Sequence, residues 1–139
     1  MTLNYVEIAV AVVVQFIMGA IWYSALFGKL WGRIHGFDKL SKAEQEALMK
    51  TMGPTYGLQL LSTVVATTVL AMFVSSLPSP WHAYGVAGWV WVGFILPTQV
   101  SAVIFSRTPR AFMAPQIAVM SGDALVRLMV VATIFSMMG

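Results

Sequence analysis

The sequence predicts an all-α membrane protein, an up-down bundle of four transmembrane helices with a short cytoplasmic helix in the first loop. Composition is the first reason: 59% of the 139 residues are hydrophobic and 9% are charged, whereas soluble domains contain about 45–50% and about 25%. The second reason is that the apolar residues fall in runs long enough to cross a bilayer, which takes about 20 residues per helix. We interpret residues 1–139 as a single membrane domain.

The runs without charge locate the helices. No Asp, Glu, Lys or Arg occurs from Ile8 to Gly28 or from Thr51 to Ser106. The first run can hold one helix and the second can hold two, which Pro78 and Pro80 separate because proline ends a helix. A fourth apolar stretch follows and contains two charged residues. The predicted helices cover about residues 4–25, 54–77, 83–105 and 112–134.

The loop charges predict the orientation of these helices. Seven of the eight Lys and Arg residues lie in two loops that an up-down arrangement places on one side: Lys29, Arg33, Lys39, Lys42, Lys50, Arg107 and Arg110. Positively charged loops remain in the cytoplasm. We therefore expect a multi-pass protein with its N-terminus and C-terminus outside.

The first loop contains a sequence typical of a helix start. Ser41 and Glu44 are spaced as a capping box, in which each side chain bonds the backbone N–H of the other residue. Good helix formers follow over residues 42–51. Gly53 suits a break after this helix and Pro54 suits the first turn of the next one.

Polar side chains inside the predicted helices form the candidate site. Their spacing of three or four residues places them on one face of each helix, and such faces avoid lipid. The intramembrane cluster is predicted to contain Glu7, Gln15, Gln59, Gln99, Asp123 and Arg127. Asp123 lies near the midplane in this scheme, about 16 Å from the inner end of its helix. Arg127 can pair with Asp123 one turn away or with Glu7.

A motif at the end of the first predicted helix carries a family resemblance. The segment Gly19–Trp31 resembles the opening signature of small bacterial membrane proteins catalogued as domain of unknown function 1761. The residues that carry the resemblance are Trp22, Tyr23, Ser24, Phe27, Gly28, Lys29 and Trp31. A second, shorter match is Trp91-Val92-Gly93-Phe94 followed by Pro97, whereas Asp123 departs from the family pattern.

The resemblance implies four helices in a bacterial inner (plasma) membrane and no established function. The residues themselves favour anchoring for the motif. Trp22 and Tyr23 fit the inner membrane interface, where amphipathic rings concentrate. Gly19 permits close approach of another helix, and Gly28 with Lys29 suits the end of the first helix.

Several kinds of chemistry are excluded or disfavoured by composition. The chain contains no cysteine, which excludes disulfides and cysteine-based metal sites. His35 and His82 are predicted on opposite sides of the membrane and cannot share a metal ion. The few charges form no basic face for nucleic acid. We therefore expect a non-enzymatic protein without a metal or cofactor.

Two functional hypotheses remain from the sequence. The first is a membrane protein that self-associates or serves as an accessory subunit, with the lipid bilayer and a second copy or another membrane protein as partners. Small residues four apart, such as Ser62 and Ala66, favour close helix contacts. The second is a small ion or solute transporter or channel. A water-accessible gap beside Gln15, Gln59, Gln99 and Asp123 favours the second hypothesis, and a dry, closed interior favours the first.

Overall fold

The computed structural model describes residues 2–78 and 82–139, and the elements in these ranges are helices and turns without a strand. The six helices are α1 (Tyr5–Leu26), α2 (Gly28–Ile34), α3 (Lys42–Lys50), α4 (Gly53–Ser76), α5 (Ala83–Ile104) and α6 (Arg110–Met138). In the described residues α1, α4, α5 and α6 are long and apolar enough to cross a membrane, as in a multi-pass membrane protein. The four predicted spans are confirmed to within a few residues, and the predicted turn at Pro80 lies outside the described residues.

The first loop folds into more helix than the sequence predicts. Phe27 leaves the helical conformation, and α2 begins at the next residue instead of a loop. Gly36 ends this segment with a φ of 72°, a left-handed conformation that glycine adopts without strain. The predicted capping box is confirmed: the Glu44 amide donates to Ser41 Oγ at 3.1 Å and the Ser41 amide donates to Glu44 Oε2 at 3.2 Å.

The helix α6 has the most extensive contacts of the four long helices. It packs along α1 on one side and along α5 on the other, whereas α4 packs mainly against α1. α1 and α6 run antiparallel, because Asn4 Nδ2 donates to the Met138 carbonyl at 3.3 Å and Trp22 Nε1 donates to the Val119 carbonyl at 3.0 Å. A buried apolar cluster fills the contact between α1, α4 and α6 and contains Ile8, Ala11, Val12, Ala71, Val131 and Phe135.

Two of the long helices contain a wider, π-helical turn. In α1 this turn covers Trp22–Leu26 and in α5 it covers Trp91–Ile95. Pro97 accounts for the turn in α5, because proline has no N–H to donate to the carbonyl four residues earlier. In α1 the Phe27 amide donates to the Trp22 carbonyl at 2.9 Å, five residues away. Both turns begin at a tryptophan.

Candidate functional site

The candidate site is centred on an ion pair within α6. Arg127 Nε donates to Asp123 Oδ1 at 2.8 Å and Arg127 Nη2 donates to Asp123 Oδ2 at 2.5 Å. The side chains of Arg127 and Asp123 are 18% and 8% exposed, so the pair is largely enclosed by protein. This two-pronged geometry is the strong form of an arginine–carboxylate contact. The predicted pairing of the two residues is confirmed.

α1 provides the surface against which the ion pair packs. Gly19 faces the guanidinium group: a Cβ atom at this position would lie 3.3 Å from Arg127 Nη2. Tyr23 lies one turn further along the same face of α1, and its hydroxyl is close to Asp123 and Arg127. The glycine and the tyrosine of the motif therefore flank the ion pair. We call Gly19, Trp22 and Tyr23 the α1 cradle.

Trp22 is the third member of the α1 cradle and holds the backbone of α6. Its indole N–H donates to the Val119 carbonyl at 3.0 Å. Its ring lies over Gly122, where a Cβ atom would be 3.1 Å from Trp22 Cζ2. The location of Trp22 at the membrane interface stays a prediction, and its N–H group has a role that the sequence did not indicate, since it binds another helix.

A second tryptophan binds α6 from the side of α5. Trp91 Nε1 donates to the Ser121 carbonyl at 2.7 Å, two residues beyond the carbonyl that Trp22 contacts. Gln99 Nε2 donates to the Met120 carbonyl between them at 3.4 Å. Three consecutive carbonyls of α6 thus accept side-chain hydrogen bonds from the two flanking helices. These bonds fix the position of the helical segment that leads into Asp123.

The contacts with α1 also define the level of the ion pair. Gly19 and Tyr23 precede Leu26, the end of α1, by seven and three residues. At a rise of 1.5 Å per residue the pair lies about 5–10 Å from that end. The pair therefore lies between the middle of α1 and its end, and the midplane position of Asp123 stays a prediction.

The remaining motif residues stabilise the turn from α1 into α2. The Ser24 hydroxyl donates to the Ala20 carbonyl. The Trp31 ring packs against Tyr23 at a centroid distance of 4.8 Å, and Phe27 packs against Trp22 at 4.7 Å. A Cβ atom at Gly28 would lie 3.2 Å from the Tyr23 carbonyl, which accounts for glycine at this position. Lys29 is exposed.

The other predicted polar residues occupy separate places in the structure. Glu7 is 8% exposed and lies near the end of α6, where a Cβ atom at Gly139 would be 3.6 Å from Glu7 Oε2. Gln15 is 9% exposed and bonds Thr67 of α4. Gln59 is exposed and donates to Thr63 within its own helix. Among the six residues of the predicted cluster, the described contacts join only Asp123 to Arg127.

Sequence reasoning missed the roles of Trp91 and Thr67. Trp91 was recognised only as part of a weak family match, yet its N–H group binds α6. Thr67 shares a polar face with Gln59 and Thr63, and it is the residue of that face that meets Gln15, at 2.7 Å. The contact between Gln15 and Thr67 could have been predicted by pairing the polar face of α1 with the polar face of α4.

The site has the chemistry of a closed structural pair. Both oxygens of the Asp123 carboxylate accept from Arg127, so the two charges neutralise each other inside the helix contact. In residues 2–78 and 82–139 no three His, Cys, Asp or Glu side chains come close enough to hold a metal ion. The arrangement therefore allows α6, with two charges in an apolar stretch, to lie against α1.

Comparison with known proteins identifies the family of this chain. A search of curated proteins and a search of solved structures each gave no match. A family model described as "Protein of unknown function (DUF1761)" matches residues 6–136, a range that includes the α1 cradle, the ion pair and both π-helical turns. Since the match covers nearly the whole chain, the protein belongs to the DUF1761 family, as the motif at the end of α1 predicts.

Proposed function

We propose that this chain is a non-enzymatic protein of the bacterial inner membrane that associates with a second copy of itself through α4. In this arrangement the four long helices cross the membrane alternately, both termini lie outside, and α3 lies in the cytoplasm. The exposed surface of α4 carries the proposal. The closed ion pair of the candidate site holds the subunit together and leaves α4 available for contact.

α4 is the least covered of the long helices by its own chain. Of its 24 residues only Thr63, Thr67 and Ala71 are buried, and all three face the contact with α1. Every residue from 53 to 62 is exposed. The first half of α4 is therefore largely uncovered by the other helices.

One exposed face of α4 has the composition of a helix contact. At spacings of three and four residues it presents Thr55, Gln59, Ser62 and Ala66, all exposed. We call these four residues the α4 seam. Small residues at this spacing let two helix backbones approach closely in a membrane. A helix face that contacts only lipid has no need of a polar amide, whereas this face carries the amide of Gln59.

Gln59 indicates what covers the α4 seam. Its Nε2 group donates to Thr63 Oγ1 at 3.3 Å, and no further hydrogen bond of its side-chain amide is present among the described residues. An amide exposed to hydrocarbon loses several kcal/mol of hydration, about 2–7 kcal/mol in transfer experiments. Because an amide both donates and accepts, Gln59 of one subunit is complementary to Gln59 of another. We therefore assign a second copy of the chain as the partner.

The contacts support this function over a transport path. A path requires polar groups that are accessible along a continuous line, whereas both carboxylate oxygens of Asp123 are bound by Arg127 and the amide N–H groups of Gln15 are bound to Ala11 and Thr67. Gln99 of α5 donates to the backbone of α6, on the side of α6 that packs against α5. These polar groups are distributed over separate helix contacts.

Cysteine cross-linking tests the proposed contact directly. The natural chain contains no cysteine, so a single introduced thiol is the only one present. We expect Gln59→Cys and Ser62→Cys to form disulfide-linked dimers in membranes upon mild oxidation, since facing residues at a two-fold contact come within disulfide distance. Dimer formation is measured by gel electrophoresis without reductant.

Leu61→Cys and Val64→Cys are the matched controls, because both residues are exposed at the same level but lie about 100° or more around the helix from every residue of the α4 seam. The proposal requires seam positions to cross-link several times faster than these controls. Equal rates at all four positions indicate random collision and contradict it. A cross-linked product of another mass identifies an accessory-subunit role with a different partner instead.

A further inference from the structure

A cavity of about 220 Å³ is lined by residues of all four long helices. Each long helix contributes to its wall, with Gln15 from α1, Thr67 and Val69 from α4, Val90 from α5 and Val131 from α6. The cavity opens toward the side of the molecule that faces lipid, because Val69 and Phe73 line it and are 58% and 47% exposed. Apart from Gln15 and Thr67, the lining residues are apolar.

The hydrogen bonds of Gln15, which lines this cavity, leave one strong acceptor without a described donor. Both protons of Nε2 are used, at 3.1 Å to the Ala11 carbonyl and at 2.7 Å to Thr67 Oγ1. The Thr67 hydroxyl donates in turn to the Thr63 carbonyl at 2.7 Å. No described group donates to Gln15 Oε1. This oxygen is not among the fully enclosed atoms without a partner, so it keeps some exposure, and Gln15 is one of the residues that line the cavity.

We propose that the cavity binds a small apolar molecule with one hydroxyl group, such as a phenol, which enters from the bilayer and donates its proton to Gln15 Oε1. The size fits an aromatic ring, because an apolar cavity of about 150 Å³ already binds benzene. The free acceptor selects the hydroxyl, since a buried amide oxygen without a donor is unfavourable. A water molecule fits less well, because it needs two to four polar partners. Of the α4 seam, Ala66 lines this cavity and Gln59 does not, so the inference does not need the proposed contact at Gln59.

A pair of fluorinated probes that differ by one hydroxyl group tests the inference. 4-Fluorophenol and fluorobenzene are titrated into the purified protein in detergent micelles and followed by ¹⁹F NMR, with empty micelles as the reference. We expect saturable binding of 4-fluorophenol and about fivefold weaker binding of fluorobenzene, the effect of one net hydrogen bond. Equal affinity of the two probes, or a signal no larger than that of empty micelles, overturns the proposal.

Two variants assign the binding to this cavity. Gln15→Leu removes the acceptor with little change in volume, so we expect it to abolish the preference for 4-fluorophenol while binding of fluorobenzene persists. A preference that survives this change contradicts the role of Gln15. Val90→Phe fills the cavity from α5 without touching the Gln15–Thr67 hydrogen bond and should remove saturable binding of both probes. If Gln15→Leu does not fold, this second variant decides, and binding retained in Val90→Phe overturns the proposal.

Discussion

Gly19 of α1 lies against the guanidinium group of Arg127 of α6, so closely that a methyl group at Gly19 would be 3.3 Å from Arg127 Nη2. The guanidinium group of Arg127 thus occupies the space that a side chain at Gly19 would fill. Asp and Arg at a helix centre each cost about 2.5–3.5 kcal/mol on insertion into a membrane. The contact with α1 offers these charges a protein environment. It explains in physical terms why a glycine opens the signature motif.

Enlarging Gly19 is expected to displace Arg127. Gly19→Leu places a side chain where the guanidinium lies, and such overpacking costs about 1–3 kcal/mol. The free energy of unfolding in mixed micelles measures this loss. Gly85→Leu is the matched control, because nothing lies within 4 Å of a Cβ atom at Gly85, and it should change stability by less than about 0.5 kcal/mol. Equal losses in the two variants show that Gly19 has no special contact.

The two indole hydrogen bonds to α6 are expected to contribute similarly to stability. Trp22→Phe and Trp91→Phe each remove an N–H donor from the α6 backbone and should lower the free energy of unfolding by about 1 kcal/mol. Trp89→Phe is the control, because Trp89 is 67% exposed and its side chain contributes little to packing. A loss in Trp89→Phe as large as in the other two variants indicates a general effect of tryptophan removal.

The positions of the long helices could be predicted because charge-free runs have one physical explanation, a membrane span. The ion pair could be predicted for a similar reason, since Asp123 and Arg127 are one turn apart and neither tolerates lipid alone. The break at Phe27 was predicted as a helix end. The start of a new helix, α2, at Gly28 was not predicted, because residues that suit the end of one helix also suit the first turn of the next.

Helix partners could not be read from the sequence. Tryptophan near a helix end favours both a headgroup contact and a hydrogen bond to another helix, so nothing in the sequence distinguished the direction of Trp22. Periodicity assigned Gln59, Thr63 and Thr67 to one face of α4 but did not show that α1 covers only the last two. The cavity that Gln15 lines depends on packing between residues distant in the chain.

The predicted orientation of the chain is testable with fusion proteins. A reporter enzyme that is active only in the periplasm should be active when joined after Gly139, because all seven loop cations lie on the opposite side in an up-down arrangement. The same reporter joined after Lys50, in the first loop, should be inactive and serves as the control. Activity at Lys50 without activity at Gly139 reverses the orientation.

The strongest test of the ion pair is a double-mutant cycle on Asp123 and Arg127. Asp123→Leu leaves an enclosed cation without its partner and should lower the free energy of unfolding by about 3 kcal/mol, and Arg127→Leu should have a comparable effect. The double variant replaces both charges by apolar side chains and should recover most of the loss, because it leaves no unpaired charge beside Gly19. Unfolding in mixed micelles gives the three values. Additive losses contradict a structural pair, because they require that each side chain stabilises the protein without the other. Ion flux through the wild-type protein in liposomes that disappears in a stably folded double variant contradicts a purely structural role and supports a transport path.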